Sequence, residues 1–155
     1  MLKAGDPAPA FELPDSEMEL VSLARFKGSK TVVLYFYPKD DTPGCTLEAI
    51  DFSELEDQFL ALNAVVLGVS MDDCMSHGTF RDKHGISVEL LADTEGEVCR
   101  SYDVLQHKEM EGKRKTGIQR STFVIDPGGV VRHALYGVAP RGHAAEVLNL
   151  LKGMA

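Results

Sequence analysis

The run TVVLYFYPKDDTPGCTLEAIDF, Thr31–Phe52, decides how this chain is read. Its opening residues, Thr31–Tyr37, are β-branched, aliphatic or aromatic throughout, which fits a central strand covered on both faces. Pro38 stops the run and two acids follow. Thr42-Pro43-Gly44-Cys45 then reads as a helix start, because threonine is a good N-cap and proline is favoured at the first helical position. Phe52, Leu55, Phe59 and Leu62, spaced 3, 4 and 3 residues apart, place one apolar stripe along that helical pattern.

Working outward, Ala64–Ser70 (AVVLGVS) predicts a second buried strand, and Asp72 or Asp73 caps a helix that runs to about His84 and ends at Gly85. Val88–Asp93 is a short strand and Thr94–Tyr102 a short helix. Gln106–Gly117 is polar and predicts a mobile loop that includes Lys113, Arg114 and Lys115. Asp126-Pro127-Gly128-Gly129 joins two further strands as a hairpin, and Gly142–Lys152 is a closing helix. Upstream, Pro7, Pro9 and Pro14 with short apolar pieces predict an irregular entry or short hairpin. Strands that alternate with helices and end in a hairpin and a helix imply an α/β protein with a mixed sheet; a thioredoxin-like arrangement is the natural candidate.

The 155 residues are most simply one domain, 1–155, large enough to bury a full core. A net charge of −8 argues against a nucleic-acid surface, which needs a basic stripe. The N-terminus lacks an apolar core of signal-peptide length, and no apolar run is long enough to cross a membrane, so a cytoplasmic, soluble protein is expected. Three cysteines, Cys45, Cys74 and Cys99, do not suggest a disulfide framework. The histidines are scattered, and Cys74-x-x-His77 has ligand-like spacing without a second pair to complete a metal site.

Cys45 falls in the first helical turn, where unsatisfied backbone N–H groups and the positive end of the helix dipole favour a thiolate, the nucleophilic form. Position alone leaves open a small buried apolar residue, as most free cysteines are. A helix start just past a central strand is expected to be an exposed edge, which weighs against that reading. A dithiol reductase is disfavoured, because Thr46, Leu47 and Glu48 follow and the chain has no C-x-x-C.

These residues resemble the active-site segment of peroxiredoxins, specifically the bacterioferritin comigratory protein subfamily. The family pattern P-x-x-x-[T/S]-x-x-C matches Pro38, Thr42 and Cys45 in register. KAGDPAPAFELPD, SHGTFRDKHG, GIQRSTFVIDPGG and GHAAEVLNLLK are similar to further segments of the family, in order, over nearly the whole chain. The resemblance implies thiol peroxidase chemistry without metal, haem or flavin. Cys45 would attack a peroxide oxygen and become a sulfenic acid. Thr42 would hydrogen-bond thiolate and peroxide, Arg120 would hold the thiolate anionic and position the peroxide, Pro38 would shield the pocket from bulk water, and Glu48 would orient the arginine. Without the resemblance, Arg120 reads as a surface arginine at a strand start, Glu48 as first-turn dipole compensation and Thr42 as an N-cap only.

Many members of the subfamily carry a resolving cysteine five residues after the first, where this chain has Ile50; others carry one in the third helix, at about Arg81 here. Both places are unoccupied. Cys74 is the remaining candidate resolver, and Cys99 is expected in the core. The favoured expectation is a one-cysteine mechanism in which thioredoxin, glutaredoxin or a small thiol reduces the sulfenic acid. Resolution by Cys74, or a redox sensor or holdase role for the same fold, is the alternative. The resemblance further implies a monomer or weak homodimer.

Overall fold

On β3 (Thr31–Phe36) side chains alternate between two apolar layers, so both faces of the strand are buried and it becomes the middle of the sheet. The computed structural model describes residues 1–154, and at 108–110, 114 and 115 the backbone alone. A short antiparallel pair, β1 (Glu12–Pro14) and β2 (Leu20–Ser22), and a 3-10 turn at Leu23–Phe26 lead into β3. The helices α1 (Pro43–Glu54) and α2 (Glu56–Ala61) follow, then β4 (Ala64–Ser70), α3 (Cys74–His84), β5 (Glu89–Ala92) and α4 (Glu97–Ser101). The hairpin β6 (Leu105–Met110) and β7 (Lys113–Ile118), the strands β8 (Ser121–Ile125) and β9 (Val131–Tyr136), and α5 (His143–Lys152) complete the described chain.

The central sheet has the order β5-β4-β3-β8-β9, with β3, β4 and β5 parallel and β8 and β9 antiparallel to their neighbours. This is the mixed, thioredoxin-like arrangement expected from the sequence. One face packs Val33, Tyr35 and Tyr37 against Phe52, Phe59, Phe80, Val147 and Leu151 from α1, α2, α3 and α5. The opposite face packs Val32, Leu34 and Phe36 against Phe11, Leu13, Cys99 and Tyr102 from the N-terminal hairpin region and α4. Tyr35 stacks on Phe52 with ring centroids 4.6 Å apart. That ring lies across Gly68 of β4, where an added Cβ would come within 2.7 Å of Tyr35 Cζ, so any larger residue would displace the aromatic stack.

Two expectations change. The polar stretch 106–117 is not a loop but the hairpin β6–β7, paired only with itself. Among the described residues only its base, Leu105 and Ile118, packs on the core; residues 106–107, 111–113, 116 and 117 are exposed, so the stretch carries no alternating apolar face. The usable signal is Glu111-Gly112, where both residues have positive φ (54° and 73°), as a two-residue hairpin turn of the I′ kind requires. The single apolar stripe also spans two helices rather than one. At Leu55 (φ −95°, ψ 0°) α1 ends and α2 begins, leaving Phe52 and Phe59 buried and Leu55 and Leu62 half-buried.

Candidate active site

The three parallel strands each run into a helix, so their C-terminal ends form a rim of helix starts, the usual place for a site in an open α/β sheet. At the end of β3 the chain makes a tight passage through Pro38–Asp41 and enters α1. Thr42 is its N-cap in position (φ −94°, ψ 155°), and Pro43 occupies the first turn. The threonine hydroxyl does not cap the helix, however. It donates to the Lys39 carbonyl at 2.9 Å, closing the loop on itself. Thr42 is half-buried and Pro38 exposed.

Cys45, the third residue of α1, is 1% exposed. The exposed edge expected from sequence is therefore covered. Arg120, the residue before β8, supplies much of the cover. Ser121 pairs with Phe36 across the antiparallel β3–β8 register, which brings the start of β8 to the end of β3. The Arg120 carbonyl accepts from Val138 N–H at 3.0 Å, fixing its backbone, and its side chain reaches over the first turn of α1. Nη2 donates to Cys45 Sγ at 3.4 Å, and Nη1 donates to Glu48 Oε1 at 2.7 Å. Arg120 is thus a bridge between the thiol and a carboxyl one helical turn further on.

Gly44 makes room for this bridge. A Cβ there would meet Arg120 Nη2 at 3.1 Å and Pro140 Cγ at 3.2 Å, so both groups sit where a side chain would otherwise begin. Neither Gly44 nor Pro140 is singled out by sequence reasoning. A glycine between a helix-start proline and a cysteine is the signal that something approaches closely.

Glu48 has no exposed surface, and its Oε2 has no hydrogen-bond partner among the described residues. Burial pushes its carboxyl up to about 7, against the pull of Arg120. Burial works against the charge of Arg120, but Glu48 and Cys45 outweigh it and push the guanidinium higher. A second orphan, the Tyr35 hydroxyl, is also buried, and burial followed by the nearby Glu48 and Cys45 raises it well above its ordinary value. His143, the first residue of α5, lies edge-on to Phe52 and shares a hydrogen bond between Nε2 and Thr122 Oγ1 at 2.7 Å. Burial holds its ring below the ordinary histidine range.

The other two cysteines stand apart from this group. Cys74 is the first residue of α3 and half-buried; burial, then Asp15 and Asp73, push its thiol up. Cys99 belongs to the core, as expected, and lies on the opposite face of the sheet from Cys45; burial followed by Asp93 pushes its thiol far up. His77, half of the ligand-like Cys74-x-x-His77 spacing, is buried and turned to Asp40 and Leu91.

A thiol held at a helix start against a guanidinium can attack an electrophile and have the displaced anion stabilised in the same place. Comparison with known proteins points the same way. Residues 4–134 match the model of the AhpC/TSA family. The chain is similar to the Peroxiredoxin Bcp of Bacillus subtilis, 44% identical over 154 residues and covering 99% of this chain and 98% of the relative. It is also similar to the Peroxiredoxin Bcp of Escherichia coli, 39% identical over 151 residues, covering 97% and 96%. Among solved structures, a cysteine-to-serine variant of PrxQ from Xylella fastidiosa superposes with a TM-score of 0.92 at 38% identity, covering 99% of this chain and 98% of the other. The bacterioferritin comigratory protein of Xanthomonas campestris, studied for its alkyl peroxide reduction activity, gives 0.89 at 40% identity, covering 93% and 91%. With a buried thiol under a guanidinium at the expected helix start, and likeness to peroxiredoxins over nearly its whole length, this chain belongs to the AhpC/TSA family and is a thiol peroxidase of the Bcp/PrxQ kind.

Proposed function

We propose that Cys45 is the peroxidatic residue, served by Arg120, Thr42, Pro38 and Glu48, and that it reduces hydrogen peroxide and organic hydroperoxides. The observation that carries this reading is the Arg120 bridge, 3.4 Å to Cys45 Sγ and 2.7 Å to Glu48 Oε1. The Cys45 thiolate attacks one peroxide oxygen, the O–O bond breaks, and the leaving oxygen departs with the electron pair as an alkoxide or hydroxide. That oxygen takes a proton and leaves as alcohol or water, with Cys45 left as sulfenic acid. The charge on the leaving oxygen grows beside Arg120 and the N–H groups of the α1 start, which lowers the barrier most when they are already in place. Glu48 keeps the guanidinium aimed, Thr42 holds the approach to the sulfur, and Pro38 borders it. The alkyl peroxide reduction ascribed to the Xanthomonas relative supports including alkyl hydroperoxides as substrates.

The sulfenic acid is then attacked by an external thiol, from thioredoxin, glutaredoxin or a small molecule. Water leaves, and a second thiol regenerates Cys45 from the mixed disulfide. The raised Cys74 thiol, beside two acids, makes it a poor intramolecular attacker, which favours the one-cysteine route. The working unit in this reading is the single domain 1–155, a monomer or weak homodimer acting in the cytoplasm. Peptide mapping after one equivalent of peroxide tests it in the wild type, Cys74→Ser and Cys99→Ser. Sulfenic acid trapped at Cys45 in all three is expected; a Cys45–Cys74 disulfide in the wild type would overturn the one-cysteine route. Repeated turnover with a thiol reductant distinguishes a scavenger from a sensor, which stops after about one equivalent.

A further inference from the structure

The loop between β3 and α1 carries two acids that thiol chemistry does not use. Asp40 is buried, and its N–H and both carboxylate oxygens are engaged. Its N–H donates to Asp72 Oδ2 at 2.9 Å, and Oδ1 accepts from the Tyr37 hydroxyl at 2.6 Å. Oδ2 accepts from the Ser76 hydroxyl at 2.8 Å and lies 2.7 Å from His77 Nδ1. His77 has no exposed surface, and its Nε2 lies 2.9 Å from the Leu91 carbonyl. A carbonyl oxygen only accepts, so Nε2 is the donor there, while Nδ1 faces Asp40 and the Tyr37 hydroxyl 3.3 Å away. One imidazole therefore fastens β5, α3 and the loop together.

Asp41 is fastened to the other end of the same helix. It adopts φ 60° and accepts from Lys83 Nζ at 2.6 Å, with His84 Nε2 2.7 Å away. The first turn of α3 thus grips Asp40 and its last turn grips Asp41, immediately before Thr42. The two grips differ in kind. The Asp41 pairs are exposed and screened by water and salt, whereas the Asp40–His77 bond has no solvent to replace it.

We propose that Asp40 and His77 are positioning residues for the peroxidase step, fixing the Pro38–Thr42 loop on α3 and thereby the placement of Thr42 at the start of α1, three residues before Cys45. The inference rests on Cys45 being the residue that meets peroxide. Positioning matters because displacement of oxygen from oxygen needs sulfur and both oxygens in line, whereas thiolate availability does not depend on that alignment.

The test compares two reactions at the Cys45 peptide: oxidation by hydrogen peroxide and alkylation by iodoacetamide. His77→Asn retains an amide N–H near the place of Nδ1 and can still reach Asp40; His77→Gln places its amide toward the Leu91 carbonyl instead. His77→Gln is expected to slow peroxide oxidation about 10- to 100-fold, with His77→Asn within a few-fold of wild type and alkylation little changed in both. Tyr37→Phe, which deletes only the hydroxyl on Asp40, is expected to slow oxidation several-fold and serves if the histidine variants fail to fold. The proposal is overturned if oxidation is unchanged in every variant that folds, or if oxidation and alkylation fall together. Wild-type protein measured alongside separates the two readings. If peroxide leaves its Cys45 unoxidised, the assignment of Cys45 fails rather than the loop's role.

Discussion

Cys45 and Cys99 occupy equivalent places in opposite layers. Each is the third residue of a helix that follows a parallel strand, and each is buried, at 1% and 0% exposed. What differs is the neighbour. Above Cys45 stands the Arg120 guanidinium, 3.4 Å from sulfur. Beside Cys99 stands Asp93, whose carboxylate accepts from the Cys99 N–H at 2.8 Å and the Val98 N–H at 3.3 Å. The acid uses up the helix-start donors that would otherwise favour a thiolate, and adds a like charge. Even Cys74 begins a helix, again beside acids. Neither a helix start nor burial distinguishes these thiols; the sign of the facing charge does, and in the proposed reading that sign separates reagent from filler.

The contrast is broken most directly at its centre. Cys45→Ser is expected to abolish peroxidase turnover, while Cys99→Ser retains it; activity surviving the first change would move the chemistry to another thiol. Arg120→Met removes the guanidinium and is expected to lower the rate of Cys45 oxidation by about 10²- to 10³-fold, the usual loss for one donor to a developing oxyanion. Stopped-flow oxidation measures it, and a loss below tenfold would mean that the helix start alone suffices.

Glu48 sharpens the comparison through pH. Its folded carboxyl keeps a proton up to about pH 7, whereas the unfolded chain releases it near the ordinary value of 4.5, so folding takes up a proton between those limits. The stability this proton contributes is full below pH 4.5 and lost as pH rises toward 7. A rise of this size corresponds to about 3 kcal/mol at most. Urea titrations at stepped pH should show the decline in wild type and a flatter profile in Glu48→Gln; parallel profiles would return the carboxyl to its ordinary range.

Gly44→Ala is a smaller perturbation. The new methyl presses on Arg120 Nη2 and Pro140, and oxidation is expected to slow by about tenfold or less, while helix propensity holds or raises stability by up to about 1 kcal/mol. Rate and melting temperature falling together would point instead to a disturbed fold. The smallest effect is expected of Cys74→Ser, with turnover on an external thiol within about twofold of wild type, as for a surface change away from the reacting atoms.

Much of this architecture is local and was legible as such. The apolar run 31–37, the start of α1 at Thr42-Pro43, the Asp73 cap whose side chain accepts from Ser76 N–H, and the Gly85 stop follow from residue chemistry within a few positions. The hairpin β6–β7 escaped because, among the described residues, only Leu105 and Ile118 at its base meet the core, so the stretch between them carries no apolar period.

The sequence by itself determined where the helix start and its cysteine fall, that no cysteine stands at Ile50 or Arg81, and that no second thiol follows at C-x-x-C spacing. Only the tertiary structure decided that Cys45 is covered, that the Thr42 hydroxyl donates to its own loop instead of accepting from the helix start, and that Asp40 is held by His77. The resemblance pointed to Arg120, but its meeting with Cys45 depends on strand register. Pairing Ser121 with Phe36 carries a guanidinium 75 residues along the chain to the sulfur. Local patterns specify which face of a strand is buried; they do not name the strand that lies beside it.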